Sequence, residues 1–159
     1  MTTRKTADDI DRAIFSTLTA QPDATTVAVA EATGLSRNTV RARLVRYAED
    51  ESLRSFERRI DPAFLGYPLR AYIVTTVTQR LLDEVGRALA EVPEVLEVHG
   101  LTGVTDLLIH VVARDADDLY RIAGRILSIE GIERTSTGLA MQELVRYRIG
   151  QLVTAARST

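Results

Sequence analysis

A glycine between two short helix-like segments is the feature that most constrains how this 159-residue chain folds. Gly34 follows the segment 25–33 and suits the left-handed backbone conformation that ends a helix. Two residues later, Ser36 is a favourable N-cap for a further helix that runs from Arg37 to about Asp50. The spacing therefore predicts two helices joined by a tight turn.

Another helix is predicted upstream, over residues 8–20. Asp8, Asp9 and Asp11 favour its positively polarised N-terminal end, and its apolar residues recur at every fourth position. The helix after Ser36 has its own apolar stripe, formed by Val40, Leu44 and Tyr47. The first fifty residues thus predict three helices that share one small core.

Basic residues are concentrated on the last of these helices. The chain has a formal net charge of −2, yet positions 34–48 contain four arginines and no acid. A helix after a tight glycine turn, with a basic outer surface, has the properties of a helix-turn-helix that reads double-stranded DNA. Guanidinium groups suit phosphates or guanine, whereas Asn38 and Thr39 suit base edges and Ala42 allows close approach. The candidate DNA contacts are Arg37, Asn38, Thr39, Arg41, Ala42, Arg43 and Arg46.

A second interpretation of the arginines is a solvated helix face that binds nothing. The three-helix context favours DNA binding over this alternative. For Gly34 and Ser36, the structural roles of turn and cap are the favoured ones, and neither residue needs to contact DNA.

Beyond residue 66 the pattern becomes an alternation of strands and helices. Residues 69–78 are rich in β-branched side chains, and helical periodicity returns over 81–92. Two strands, a helix and a last strand follow, at 95–101, 107–113, 115–129 and from about 132. The order βαββαβ predicts a ferredoxin-like antiparallel sheet with both helices on one face. We therefore predict an α+β protein with a helix-turn-helix domain over 1–56, an extended linker over 57–66 and a ferredoxin-like domain over 67–159.

The sheet face away from the helices is predicted to be too apolar for water. Strand alternation places six side chains there: Tyr72, Val74, His99, Leu108, His110 and Val112. A second copy of the chain covering this face is the simplest remedy. The sequence thus predicts a homodimer or a higher homo-oligomer formed by sheet-to-sheet packing.

Composition excludes several other classes of protein. The chain has no cysteine and only two histidines, which argues against disulfides, thiolate catalysis and a metal site. No apolar run approaches the roughly 20 residues of a membrane-spanning helix. We expect a cytoplasmic protein with no cofactor, no metal and no membrane association.

Several short motifs, in this order and spacing, resemble the Lrp/AsnC family of feast/famine transcription regulators. They are Asp9–Ile14 with Leu18, Ala30, Gly34–Ser36, Thr39–Val40 with Arg43, Leu65–Gly66, Pro93–Val95, Thr102–Gly103 with Asp106, and Gly131–Ile132 before Thr135 and Thr137. The resemblance extends from about residue 8 to residue 145. It implies a DNA-binding regulator whose second domain binds a small effector and mediates oligomerisation.

The resemblance also implies a site for a small effector, usually an amino acid, at the loop between the second and third strands. Gly103 lets backbone N–H groups approach a carboxylate, and Asp106 can accept hydrogen bonds from an ammonium group. The candidate effector contacts are Thr102, Gly103, Thr105, Asp106, Thr135 and Thr137. The alternative is a plain β-turn in which Gly103 supplies a positive φ and Asp106 caps the loop.

One departure from the family and two other functions remain open. Ser52 stands where the family usually has a glycine that opens a β-wing, so the wing is expected to be altered. A regulator that has lost DNA binding would be a stand-alone ligand sensor. An enzyme of the same architecture, similar to sirohaem decarboxylases, would need His99 or His110 as an acid, base or ligand.

Overall fold

The computed structural model describes residues 6–154, which divide into two compact units. One unit contains the residues up to Phe56 together with those from Val145 onward, and the other contains Glu57–Leu144. The sequence predicts a first domain over 1–56, a linker over 57–66 and a second domain over 67–159, and these bounds stay a prediction. Residues 1–5 and 155–159, which the outer predicted domains include, lie outside the described residues. No helix within 6–154 is long and apolar enough to cross a membrane.

The first unit contains the three helices that the sequence predicts. They are α1 (Asp9–Ala20), α2 (Thr26–Thr33) and α3 (Arg37–Glu49). The side chains of Asp8, Thr25 and Ser36 cap their N-termini, because each accepts a backbone N–H of the first turn. Gly34 ends α2 with φ at 70°, the conformation for which glycine is suited.

A small core joins these helices. Ile14, Val29 and Val40 are completely buried, and Tyr47 is nearly so. Leu44 packs against them, so the predicted apolar stripe of α3 is confirmed. A short helix near the end of the chain, α6 (Gly150–Thr154), packs on α1.

The sequence predicts an extended linker over 57–66, but the structure shows mostly helical turns there. Described residues 51–68 contain two short 3-10 helices, Phe56–Arg59 and Pro62–Leu65, and no strand. The second of these forms because the Asp61 carboxylate accepts the Ala63 N–H and Pro62 has a φ suited to a helix start. Glu51 takes a positive φ of 54° in the turn after α3. The expected alteration of the wing at Ser52 stays a prediction.

The second unit is a four-stranded antiparallel sheet with two helices. Its elements are β1 (Leu69–Val77), α4 (Leu82–Ala90), β2 (Val95–Gly100), β3 (Leu107–Ala113), α5 (Ala116–Leu127) and β4 (Ile132–Leu139), with a 3-10 turn (Gln79–Leu81) before α4. The spatial order of the strands is β2-β3-β1-β4. Ile73 and Ile109 of the sheet are buried in one core with residues of both helices. The predicted ferredoxin-like fold is confirmed.

The six side chains assigned to the other sheet face do lie on one side. On neighbouring strands, Tyr72 pairs with His110 and Val74 pairs with Leu108. His99 pairs with Leu108 from its other side. Two differences from the expectation emerge. Val112 is buried, with only 3% of its surface exposed. The same face also carries two charged residues, Arg70 opposite Val112 and Glu97 opposite His110.

Candidate nucleic-acid interface and effector loop

One face of α3 points away from the core of its unit. Arg37, Asn38, Arg41 and Ala42 are exposed, and Thr39 is half-buried. Asn38 and Ala42 lie on the side of α3 opposite the buried Val40, and Thr39 and Arg41 lie on the flanks of that side. Arg37 is exposed in the first turn of the helix. The structure brings these five predicted DNA contacts together on two successive turns of one helix.

The two outward arginines keep their full hydrogen-bonding capacity. Among residues 6–154, neither Arg37 nor Arg41 makes a hydrogen bond or an ion pair with another side chain. The Thr39 hydroxyl lies 2.9 Å from that of Ser36, whose oxygen also accepts the Thr39 N–H. The Thr39 hydroxyl is therefore engaged within the first turn of its own helix.

The other two arginines of α3 do not face outward freely, which corrects the expectation for Arg43 and Arg46. Arg43 Nη1 lies 2.7 Å from Asp8 Oδ2 and 2.6 Å from Asp11 Oδ1. Arg46 Nη2 lies 2.6 Å from the same Asp11 oxygen. The side chain of Arg43 is 20% exposed to solvent, and that of Arg46 is 29% exposed. Both are paired with carboxylates of the first helical segment, because they lie on the flank of α3 that faces α1.

Asp11 is the centre of this cluster. Burial by itself would raise the pKa of its carboxyl, but hydrogen bonds from the Tyr47 hydroxyl, the Asp8 backbone N–H and Arg43 outweigh burial and lower the pKa to about 2. Burial and the hydrogen bond to Asp11 raise the pKa of Tyr47. The cluster thus holds a buried carboxylate, two guanidinium groups and a neutral phenol at neutral pH.

The sequence did not predict that Asp8 and Asp11 pair with Arg43 and Arg46 of α3. Both aspartates were interpreted only as favourable charges at the N-terminus of a helix. A signal for Asp11 was present. It stands three residues before Ile14 and seven before Leu18, so helical periodicity places it on the apolar face of α1. An acid on that face needs a buried partner.

The predicted effector loop is tied to the end of β1. Asp106 Oδ2 accepts the Val77 N–H at 2.8 Å, and Oδ1 accepts from Gln79 Nε2 at 2.7 Å. The Asp106 N–H donates to the Thr75 carbonyl at 2.9 Å. Gly103, at the tip, has φ at 123°. These contacts match the alternative in which Asp106 caps the loop, although a carboxylate has lone pairs for further donors.

The four threonines predicted beside this loop are distributed over two elements. Thr102 and Thr105 belong to the loop, exposed and half-buried respectively. Thr135 lies opposite Thr75 in the sheet, and Thr137 lies opposite Ile73, so both are on the helix-covered side at an edge strand. The Thr75 carbonyl accepts the Asp106 N–H, and its hydroxyl donates to the Arg134 carbonyl of β4. Because Thr135 is the neighbour of Arg134 and pairs with Thr75, it lies near the loop.

Three helices with a tight turn before an exposed basic helix, joined to a βαββαβ unit, define a two-domain helix-turn-helix protein. Family models match both parts: the AsnC-type helix-turn-helix domain matches residues 8–47, and the Lrp/AsnC ligand binding domain matches residues 70–149. The chain belongs to the Lrp/AsnC family of helix-turn-helix transcriptional regulators.

Curated relatives and solved structures support the same assignment. The chain is 30% identical to the HTH-type transcriptional regulator FL11 of Pyrococcus horikoshii over 85% of this chain and 89% of that one. It is 31% identical to the regulator AldR of Mycolicibacterium smegmatis, over 86% and 82% of the two chains. A feast or famine regulatory protein from M. tuberculosis, solved with L-methionine, superposes with a TM-score of 0.78 at 25% identity, covering 89% of this chain and 97% of that one.

Proposed function

We propose that this transcriptional regulator binds double-stranded DNA with the outward face of α3. The observation that carries the proposal is the division of the four arginines of this helix. Arg37 and Arg41 are exposed beside Asn38 and Ala42, whereas Arg43 and Arg46 are paired with α1. In this arrangement Arg37 and Arg41 bind phosphates or guanine, and Asn38 hydrogen-bonds a base edge in the major groove.

Recovery of genomic DNA fragments tests this proposal. The full chain, immobilised at moderate salt, should retain a limited set of fragments, and the double variant Arg37→Ala/Arg41→Ala should lose them. Arg87→Ala is the matched control, because that arginine is 75% exposed on α4 of the other unit. Equal retention by the double variant and the control would refute the assignment of the interface.

We infer that the second unit binds a small effector of the amino acid class at the loop around Gly103. The support is the match to a ligand binding domain and the methionine complex of a related regulator. In this proposal, loop N–H groups bind the carboxylate, and the hydroxyls of Thr102, Thr105, Thr135 and Thr137 supply further contacts. Asp106 both caps the loop and accepts a hydrogen bond from the ammonium group.

Isothermal titration with L-methionine and a panel of other amino acids tests the effector site. Thr135→Val removes one proposed hydroxyl contact while keeping the side-chain shape, so it should weaken binding of the active amino acid by about threefold to tenfold. Ser136→Ala, on the opposite face of the same strand, should leave binding unchanged. Equal affinities for the two variants would place the effector elsewhere.

We further propose that the protein is a homo-oligomer in the cytoplasm, with no catalytic activity. The exposed ring of Tyr72 and the half-buried Val74 and Leu108 favour coverage of the sheet face by a second copy. The two histidines have contacts that suit a structural role there. His110 stacks on Tyr72 with ring centroids 4.8 Å apart, and His99 Nε2 lies 3.5 Å from Glu97.

A further inference from the structure

A single buried oxygen of α1 holds three side chains of α3. Asp11 Oδ1 accepts hydrogen bonds from Arg43, Arg46 and the Tyr47 hydroxyl, each at 2.6 Å. Asp11 is only 3% exposed. The carboxylate therefore has little access to water, and its negative charge is directed at the arginines of α3.

This arrangement reduces the charge that α3 presents to a polyanion. Four arginines lie on the helix, but the charges of two are compensated by Asp8 and Asp11. Phosphate contacts carry no sequence information, and affinity for arbitrary DNA rises with their number. A helix with fewer free guanidinium groups depends more on base contacts for its affinity.

We propose that Asp11 is a specificity-determining residue of the DNA interface, because it withholds Arg46, and together with Asp8 also Arg43, from the phosphate backbone. The inference rests on the proposed binding of DNA by α3. It deepens that proposal, because Asp11 would limit sequence-independent binding without touching DNA.

Arg46 is the guanidinium group that removal of the Asp11 charge releases. It follows Ala42 by one helical turn, so it lies at the rim of the outward face. Its remaining carboxylate neighbour, Asp50 Oδ2, is 3.9 Å from Arg46 Nε. Arg43 keeps its 2.7 Å contact with Asp8. A change at position 11 is therefore expected to add one phosphate contact rather than two.

Asp11→Asn is the variant that tests the proposal, since an asparagine oxygen still accepts the hydrogen bond of Tyr47. Asp9→Asn is its matched control. Asp9 is exposed, lies on the same helix two residues away and loses the same formal charge. Affinity is measured between 50 and 200 mM salt for a random-sequence duplex and for a fragment retained by the wild-type protein.

For the random duplex, each added phosphate contact should steepen the dependence of log affinity on log salt by about 0.9. Between these two salt concentrations, Asp11→Asn should thus lose about three- to fourfold more affinity than wild type. Its preference for the retained fragment over the random duplex should fall, whereas Asp9→Asn should keep the wild-type slope and preference.

An unchanged slope for a helical Asp11→Asn protein, with both affinities reduced in parallel, would show a purely structural role and overturn the proposal. If that variant does not fold, Arg46→Gln replaces it. A withheld arginine contributes no phosphate contact, so Arg46→Gln should keep the wild-type slope, and a slope lowered by about 0.9 would contradict the proposal. Failure of the wild-type protein to retain DNA would instead refute the proposed function.

Discussion

The phenol oxygen of Tyr47 donates a 2.6 Å hydrogen bond to Asp11 Oδ1, although 36 positions separate the two residues in the chain. Tyr47 is also part of the small core that joins the three helices of the first unit. The centroids of its ring and of the Phe15 ring are 4.7 Å apart. The same side chain therefore anchors α3 through its apolar ring and through its hydroxyl.

Removal of that hydroxyl should destabilise the first unit. Tyr47→Phe keeps the ring but deletes a buried hydrogen bond to a carboxylate, which is expected to cost about 1.5–3 kcal/mol of unfolding free energy. Urea unfolding followed by circular dichroism measures the change. Tyr120→Phe, on a tyrosine that is 84% exposed, is the control and should change the free energy by less than about 0.5 kcal/mol.

The stability contributed by Asp11 should disappear in acid. Its pKa is about 2 in the folded chain against an ordinary value of 3.8, so the folded state favours the ionised form. This contribution, about 2 kcal/mol, is fully present above pH 3.8 and is lost as the pH falls through about 2. The stability difference between wild type and Asp11→Asn should therefore shrink as pH is lowered from 5 towards 2. A constant difference across that range would contradict the depressed pKa.

Asp106 should stabilise the second unit in the absence of any effector. Asp106→Ala removes the acceptor of the Val77 N–H and of the Gln79 amide, and the expected cost is about 1–2 kcal/mol. Thermal unfolding of the effector-free protein measures it. Asp117→Ala, on the exposed first turn of α5, is the control and should cost no more than a few tenths of a kcal/mol. If Asp106→Ala is as stable as wild type, the carboxylate does not stabilise the second unit. Effector binding would then be its remaining role.

A charge on the sheet face away from the helices should prevent the association of two copies that we propose. Tyr72 is 43% exposed at the centre of that face, opposite His110. Burying an aspartate there against a second copy is unfavourable, so Tyr72→Asp should sediment as a monomer at concentrations where wild type is a dimer. Tyr120→Asp, on α5, should sediment like wild type. A dimeric Tyr72→Asp protein would mean that the copies associate through another surface.

The elements of the fold were predictable because their signals are local. Gly34 and Ser36 mark the turn between α2 and α3, and β-branched content marks β1. The 3-10 helix after Asp61 also has a local signal, the pairing of an acid with Pro62, but mixed charge obscured it. The packing of α6 on α1 depends on contacts between the two ends of the chain, which no local pattern reveals.

The candidate interface was predictable only in part, for the same reason. The outward face of α3 follows from helical periodicity, which places Asn38 and Ala42 opposite Val40 and Arg41 on the flank of that face. The pairing of Arg43 and Arg46 with Asp11 is a tertiary contact across more than thirty positions, and periodicity alone does not show whether an arginine at the edge of a face is free. The position of Asp11 on the apolar side of α1 was the available indication.

The most direct test of DNA binding by α3 is the salt dependence of affinity for one retained fragment, compared between Arg41→Ala and Arg87→Ala. If Arg41 holds a phosphate, its loss should weaken binding and reduce the slope of log affinity against log salt by about 0.9, while Arg87→Ala should match wild type. Identical slopes and affinities for the two variants would contradict contact between DNA and the outward face of α3.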